Sequence, residues 1–322
     1  MTDQNYSSNI DVIESPLKRI TGGELQRISR LVRQRGIDVI HTHQTRAHTF
    51  GVLLKMRTGV PVIATAHHRR IHLHWRLNDF VIANSQATYD FHRRVSRVSR
   101  AKMKTVYCFS DLERFHSVQR KKIPKIRSTH RLRPDDFLIC VAGQVAPRKG
   151  HDVLFEALPQ LIEKIPNLKV LLVGRFGRRQ KYVKQLRSFL IEKNLIGRVK
   201  WAGYRSNVAE YMAASQMVVV PSIEEPLGLV ALEAMATGTP VVATGSGGLA
   251  EIVLDGQTGL SVKPGDASAL AQAILRLAKD PGLANELVAG GSRFVRENFE
   301  TEPLVDQVEL VYDMILRRRQ AA

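Results

Sequence analysis

At 322 residues the chain is longer than one hydrophobic core usually organises, so two domains are expected, and its two cysteines exclude a disulfide scaffold. Its hydrophobic fraction of 44% is that of a globular protein, and no apolar run approaches the roughly 20 residues that span a bilayer. The net charge of +18 predicts salt-dependent adhesion to polyanions. The basic runs lack the interleaved aromatics and motif spacings of dedicated nucleic-acid binding, so an anionic membrane surface is the better-fitting partner.

In chain order, the N-terminal residues MTDQNYSSN lack the basic and apolar regions of a secretory signal, so a cytoplasmic protein, peripheral at the inner membrane face, is expected. Apolar runs predict strands at 10–13, 38–41, 61–64, 80–83 and 105–109. Helical patterns fill 24–35 and 46–57. Thr21-Gly22-Gly23-Glu24 reads as an N-terminal helix boundary. His41, His43, His67, His68, His72 and His74 are dense enough to raise a metal site. No cysteine lies near them, and His67 and His68 point to opposite faces of an extended chain, so none is predicted.

Residues 118–135 are basic and poorly periodic and predict a linker. Beyond them strands and helices alternate. Strands are predicted at 137–142, 169–173, 198–202, 217–220, 240–243 and at GLSV. Helices are predicted at 151–165, 181–193, 207–214, 267–278 and 302–319. Such alternation implies a doubly wound parallel sheet, which binds ligands at the carboxyl ends of its strands. The loops after Val141, Gly203, Pro221 and Thr244 leave such ends. Cys140, inside FLICVAG, should be a buried thiol.

The most informative stretch is VVVPSIEEPLGLVALEAMATGTPVVAT, where Glu225 and Glu233 are separated by seven residues. Glu225 falls at a loop-to-helix junction, and the first-turn N–H groups at Gly228, Leu229 and Val230 lack intrahelical partners and favour an anion. A phosphate there, with carboxylates accepting sugar hydroxyls, is a nucleotide-sugar site. This motif resembles the Glu-x7-Glu signature of the retaining glycosyltransferases of family 4, which have the GT-B fold. The resemblance continues through DFLICVAG, VAPRKGHDVLFEAL, KVLLVG, RVKWAGY and GSGGLAEIVLDGQTGLSV, in the family's order, over nearly all of 136–320. IDVIHTHQTRAH, PVIATAHH and VIANSQAT resemble the later part of the family's N-terminal domain, and SDLERF the segment leading into the linker.

The resemblance implies an α/β architecture of two Rossmann-like, doubly wound parallel-sheet domains facing a central cleft. An acceptor-side domain at 1–117 would be joined by the C-terminal helix at 302–322. The linker at 118–135 would lead to a nucleotide-sugar-binding domain at 136–301. The first strand and glycine-rich turn of the family are not recognisable, so the N-terminal domain is expected to be shortened. The implied activity moves a hexose from a UDP-, GDP- or ADP-sugar to a glycan or lipid-linked acceptor, with retention, in lipopolysaccharide or envelope polysaccharide synthesis. No metal and no cofactor beyond the donor substrate are implied. Glu225 would hold the transferred sugar, Glu233 the ribose, Lys149 the diphosphate with Arg148 and Gly143 beside it, and Tyr204 the base. His67, with His43, would serve the acceptor side and face the donor sugar. Where the family has arginine after Gly143, this chain has Gln144, which keeps open a degenerate protein that binds a nucleotide sugar without turnover.

Overall fold

The computed structural model describes residues 10–15, 20–108, 110–177 and 180–320. The chain divides into two units, one of Met1–Ile82, His92–Lys104 and Val311–Ala322, the other of Ala83–Phe91 and Thr105–Leu310.

In and around the first unit the elements run α1 (Gly22–Gln34), β1 (Ile40–His43), α2 (Thr45–Thr58), β2 (Val62–Ala66), α3 (His74–Leu77), β3 (Phe80–Ala83), α4 (Gln86–Arg94) and β4 (Met103–Thr105), of which residues 83–91 and Thr105 belong to the second unit. The four strands form one sheet in the order β1-β2-β3-β4, with β1 and β2 parallel and Ile40 opposite Val62. Every residue of β2 and β3 is buried, which is why both read as unbroken apolar runs rather than alternating ones. The helix boundary read at Thr21–Glu24 is the start of α1, where the Thr21 hydroxyl caps the helix by accepting from the Glu24 N–H at 3.2 Å.

Three expectations are corrected. Residues 10–13 form no strand, and Ile10 and Val12 are 53% and 61% exposed; an apolar run without a neighbour to pair with has no ladder to join. The strand predicted at 105–109 is Met103–Thr105 instead, and Phe109 lies outside the described residues. The segment 118–135 is not featureless. After α5 (Glu113–His116), a turn at Arg120–Lys122 leads to α6 (Ile123–Thr129). Pro124 occupies the first turn of α6, where its missing N–H costs nothing, and Ile126 is buried. The apolar positions of α6 are few, with Ile123 and Ile126 set among basic and hydroxyl residues, so the helix displays no period in sequence.

The second unit contains β5 (Phe137–Ala142), α7 (His151–Lys164), β6 (Leu168–Val173), α8 (Gln180–Glu192), β7 (Val199–Gly203), α9 (Val208–Ala213), β8 (Met217–Val220), α10 (Leu229–Ala236), β9 (Val241–Thr244), β10 (Leu260–Val262), α11 (Ala267–Lys279) and α12 (Pro281–Asn298). Six strands lie in the order β10-β9-β8-β5-β6-β7, and every adjacent pair is parallel. The core packs Ile139, Val141, Val170 and Leu172 of the central strands against Leu154, Leu158 and Leu161 of α7 and Leu270 and Ile274 of α11. Each such side chain contributes about 1.5–3 kcal/mol on burial. Cys140 is fully buried, and burial pushes its thiol up to about 12. The last helix, α13 (Thr301–Gln320), passes into the first unit from Val311, where the Tyr312 hydroxyl meets His41 Nδ1 at 2.6 Å.

This winding has a functional consequence. The chain enters the second sheet at β5, builds outward through β6 and β7, and crosses back to β8 on the other side of β5. Strand order therefore reverses between β5 and β8, paired through Ile139–Met217 and Cys140–Val218. Loops leaving the two carboxyl ends there diverge and open a crevice.

Candidate functional site

Lys149 and Glu225 arise from the two loops at this reversal. After β5, a turn at Pro147–Lys149 ends on Gly150, whose φ is 62°. A Cβ at Gly150 would stand 1.9 Å from the Pro221 carbonyl oxygen, so only glycine lets the two loops approach this closely. The Arg148 carbonyl then accepts from the N–H groups of Ile223 (2.9 Å) and Glu224 (3.2 Å), which fastens one loop to the other.

Fastening brings the Lys149 ammonium into contact with Glu225 Oε2 as an ion pair. Arg148 Nη1 stands 3.8 Å from the same oxygen, and the Ser222 hydroxyl donates to it at 3.3 Å. Glu225 is only 8% exposed, whereas the Arg148 side chain is about half exposed. Two cations thus meet one carboxylate. Gly143, with φ 130°, lies against the Lys149 stem; a Cβ there would sit 3.9 Å from Lys149 Cε.

Gly228 is the N-cap of α10, with φ 103°, and no side chain caps the helix. Leu249 Cδ1 occupies the space a Cβ at Gly228 would need, at 2.6 Å. The first-turn N–H groups, at Leu229 and Val230, carry the positive end of the helix dipole. Further along α10 the half-buried Glu233 has its carboxyl pushed up to about 7 by burial; the Ser110 hydroxyl at 3.5 Å and the charges of Lys149 and Arg114 act in the opposite direction. Ser110, Arg114 and Ser222 were not singled out in the sequence. Ser222 could have been, as a polar residue closing an apolar strand three positions before Glu225. Ser110 and Arg114 lie in SDLERF, but nothing there points to Glu233, because 123 positions separate Ser110 from it.

Tyr204 follows β7, is exposed, and carries the Arg175 guanidinium 4.3 Å from its ring centre. Glu251 is a capping residue. Its two carboxylate oxygens accept from the Gln86 and Ala87 N–H groups that open α4, at 2.9 and 2.7 Å, and from the Tyr107 hydroxyl at 3.0 Å.

His43 and His67 meet in the first unit, where the strand ends β1 and β2 bring His43 Nδ1 within 2.8 Å of His67 Nε2. Burial, then the charges of His43 and His68, depresses His67 to about 4, and burial lowers His43 as well. Both rings are neutral at pH 7. Each then offers one N–H donor and one acceptor rather than a charge. Among the described residues no group of three or more histidine, cysteine, aspartate or glutamate side chains is arranged to hold a metal ion.

Comparison with known proteins gives concordant matches. The sequence profile described as glycosyl transferases group 1 matches residues 122–293, and that of glycosyltransferase family 4 matches residues 12–114. A D-inositol 3-phosphate glycosyltransferase of Actinosynnema mirum is 32% identical over 79% of this chain and 67% of its own length. A second of that name, from Nocardioides sp., is 29% identical over 79% of this chain, which spans 62% of that relative. The putative glycosyltransferase EpsD of Bacillus subtilis is 27% identical over 90% of this chain and 80% of its own. The crystal structure of Anabaena Alr3699/HepE with UDP and glucose superposes with a TM-score of 0.84 at 24% identity, over 91% of this chain and 82% of the other. Sucrose-phosphate synthase from Thermosynechococcus elongatus gives 0.78 at 28% identity, over 94% and 82%.

Proposed function

The chain belongs to the glycosyl transferases group 1 with a GT-B fold, and from that premise we propose that it is a retaining hexosyltransferase drawing on a nucleoside diphosphate sugar. The observation that carries the reading is the Lys149–Glu225 pair at the strand-order reversal, beside the uncapped start of α10. A diphosphate entering this crevice draws the Lys149 ammonium, with Arg148 and the Leu229 and Val230 N–H groups, onto its oxygens. Glu225 is then released to accept hydroxyls of the transferred sugar, and Glu233 to accept those of the ribose. Tyr204 and Arg175 offer a face for the base. We assign His67 and His43 to the acceptor side, as neutral hydrogen-bonding groups.

Glu225 is held by Lys149, Arg148 and Ser222, which suits a hydroxyl acceptor better than a nucleophile. The reading is therefore a dissociative, same-face transfer. The bond from the anomeric carbon to the β-phosphate oxygen breaks, and the acceptor hydroxyl oxygen bonds to that carbon on the same face. Its proton passes to the departing phosphate. The protein's contribution is electrostatic: two cations and a helix dipole offset the charge that develops on the diphosphate, and no metal ion is invoked. A glycan or lipid-linked acceptor in envelope polysaccharide synthesis, met at an anionic membrane face, agrees with the net charge of +18. UDP and glucose occupy the HepE structure, which supports a UDP-sugar as the first donor to try.

Thermal-shift screening with UDP-, GDP- and ADP-sugars tests the donor site, and NMR of the product's anomeric proton tests retention. One donor class should raise the melting temperature, and Glu225→Ala should abolish transfer while leaving the fold intact. No shift with any donor would refute the reading. Gln144, in place of a further cation, favours the alternative of a protein that binds donor without turnover; a thermal shift without transfer to any acceptor would support it.

A further inference from the structure

We propose that the loop from Arg69 to Leu77 in the first unit is a membrane-docking element that inserts aliphatic side chains among anionic lipid headgroups. The inference rests on the proposed use of a lipid-linked acceptor at a membrane face, and it names the surface that makes the contact.

Two aliphatic side chains within three residues stand out in water here: Ile71 is 66% and Leu73 70% exposed, and Leu77 closes the segment in the same state. Single exposed aliphatics are ordinary, and a floppy loop would fold them inward. This loop has no such freedom. Trp75 is completely buried, and its indole N–H donates to the Arg70 carbonyl at 2.8 Å. His48, His74 and His92 pack on its ring with centroids 4.8, 4.6 and 4.4 Å away. The Arg76 N–H returns to the Leu73 carbonyl at 3.1 Å. Trp75 thus anchors the loop from beneath while Ile71 and Leu73 are held outward.

The surroundings choose the partner. No acidic residue interrupts the sequence from His67 to Asn78 or from Phe91 to Lys104, which together carry Arg69, Arg70, Arg76, Arg93, Arg94, Arg97 and Arg100. These two segments are neighbours in space, because His92 packs on Trp75 and its Nε2 meets the His68 carbonyl at 3.0 Å. Arg93 and Arg94 follow directly and are exposed, with Val95 beside them. Protein interfaces concentrate aromatic side chains in a charge-depleted centre. Of the acids that flank the two segments, Asp79 is paired with Lys55 at 2.7 Å and Asp90 accepts from the Gln86 amide at 3.2 Å; within them isolated aliphatics stand among guanidinium groups, the pattern that suits shallow insertion beneath anionic headgroups with those groups on the phosphates.

The test is co-sedimentation of the full chain with phosphatidylcholine vesicles with and without phosphatidylglycerol, with the donor thermal shift measured on every variant. The wild type should sediment with the anionic vesicles only. The charge-neutral pair Ile71→Ser/Leu73→Ser should lower partitioning roughly tenfold or more. Arg70→Gln, Arg76→Gln and Arg93→Gln should each lower it about fivefold. Lys181→Gln/Lys184→Gln on α8 should leave it unchanged. Should the serine pair fail to fold, Leu73→Trp provides the reciprocal readout: stronger partitioning and a blue-shifted emission on anionic vesicles. Wild-type partitioning that the serine pair and Leu73→Trp leave unaltered would overturn the loop's role and leave membrane association standing as diffuse charge attraction. A serine pair that instead changes the protein's oligomeric mass would also overturn it, marking the loop as a contact between copies. Absence of any anionic-vesicle binding would remove both the loop and the membrane reading, while an intact donor shift would preserve the glycosyltransferase reading.

Discussion

Glu233 makes the proposed donor site pH-dependent in a direction that can be worked out beforehand. Its carboxyl is raised from 4.5 to about 7, chiefly by burial, against the opposing hydrogen bond from Ser110 and the charges of Lys149 and Arg114. Ribose hydroxyls donate to a carboxylate and not to a carboxylic acid's O–H, so donor binding selects the ionised form and releases a proton. With the free carboxyl at about 7, the protonated form outnumbers the ionised one about tenfold at pH 6, and the apparent donor affinity should rise about tenfold between pH 6 and 8. The free protein should respond with the opposite sign. A carboxyl raised above its unfolded value contributes stability that is present below pH 4.5 and is lost as pH rises through about 7, by at most about 3 kcal/mol. Isothermal titration calorimetry with a UDP-sugar, in buffers of different ionisation enthalpy, measures both the affinity and the proton released. Glu233→Gln should flatten the affinity profile and raise the melting temperature of the free protein at pH 8. An affinity that is level or falls over this range, or a glutamine variant with the wild-type slope, would refute the assignment of Glu233 to the ribose.

Lys149→Met should lower transfer by about a hundredfold or more, because a fixed cation facing the leaving group acts chiefly in the transition state, and Lys149→Arg should restore part of it; initial rates under saturating donor decide this. The first unit should be acid-labile. Burial, with neighbouring imidazole charges, depresses His48 to about 3 and His74 and His92 to about 4, so their stability contribution is present above pH 6.5 and is lost as pH falls through about 4. Charging all three in place would cost on the order of 10 kcal/mol, comparable with the whole stability of a domain. In a Trp201→Phe variant the emission of Trp75 should shift to the red between pH 6.5 and 4, and an unshifted spectrum at pH 4 would contradict the account. Glu251→Ala removes the acceptors of Gln86, Ala87 and Tyr107 and should cost about 2–3 kcal/mol in urea denaturation, with an unchanged midpoint as the contrary result.

The second unit was legible in sequence because parallel strands buried on both faces are near-continuous apolar runs, as at Met217–Val220 and Val241–Thr244, and its longer helices, such as His151–Lys164 and Ala267–Lys279, show their period. The same rule misread residues 10–13. A run such as Ile10-Asp11-Val12-Ile13 looks alike whether or not a neighbouring strand exists to receive its hydrogen bonds, and that neighbour is not encoded locally. The linker failed in the reverse direction. The apolar positions of α6 are too few to show a period, and its end is fixed by Arg127, whose guanidinium binds the carbonyls of Arg133 at 2.7 Å and Asp136 at 2.8 Å.

The site itself was only half legible, and the reason lies in how it is assembled. Spacing alone fixes the Glu225–Gly228–Glu233 series, because one loop and one helix carry all three. The encounter of Lys149 with Glu225 has no local cause. It follows from the winding order, which makes β5 and β8 neighbours, and from Gly150, whose missing Cβ lets the Arg148 carbonyl bind Ile223 and Glu224 across the gap. The pair should therefore be sensitive to a residue that touches neither member. Gly150→Ala combines a φ of 62° with a collision against the Pro221 carbonyl, so it must part the two loops. If the fastened loops are what aims Lys149, this variant should lose donor binding with most of its fold retained. If it binds donor as the wild type does, the ammonium must reach the phosphates by its own flexibility, and the loop geometry is incidental.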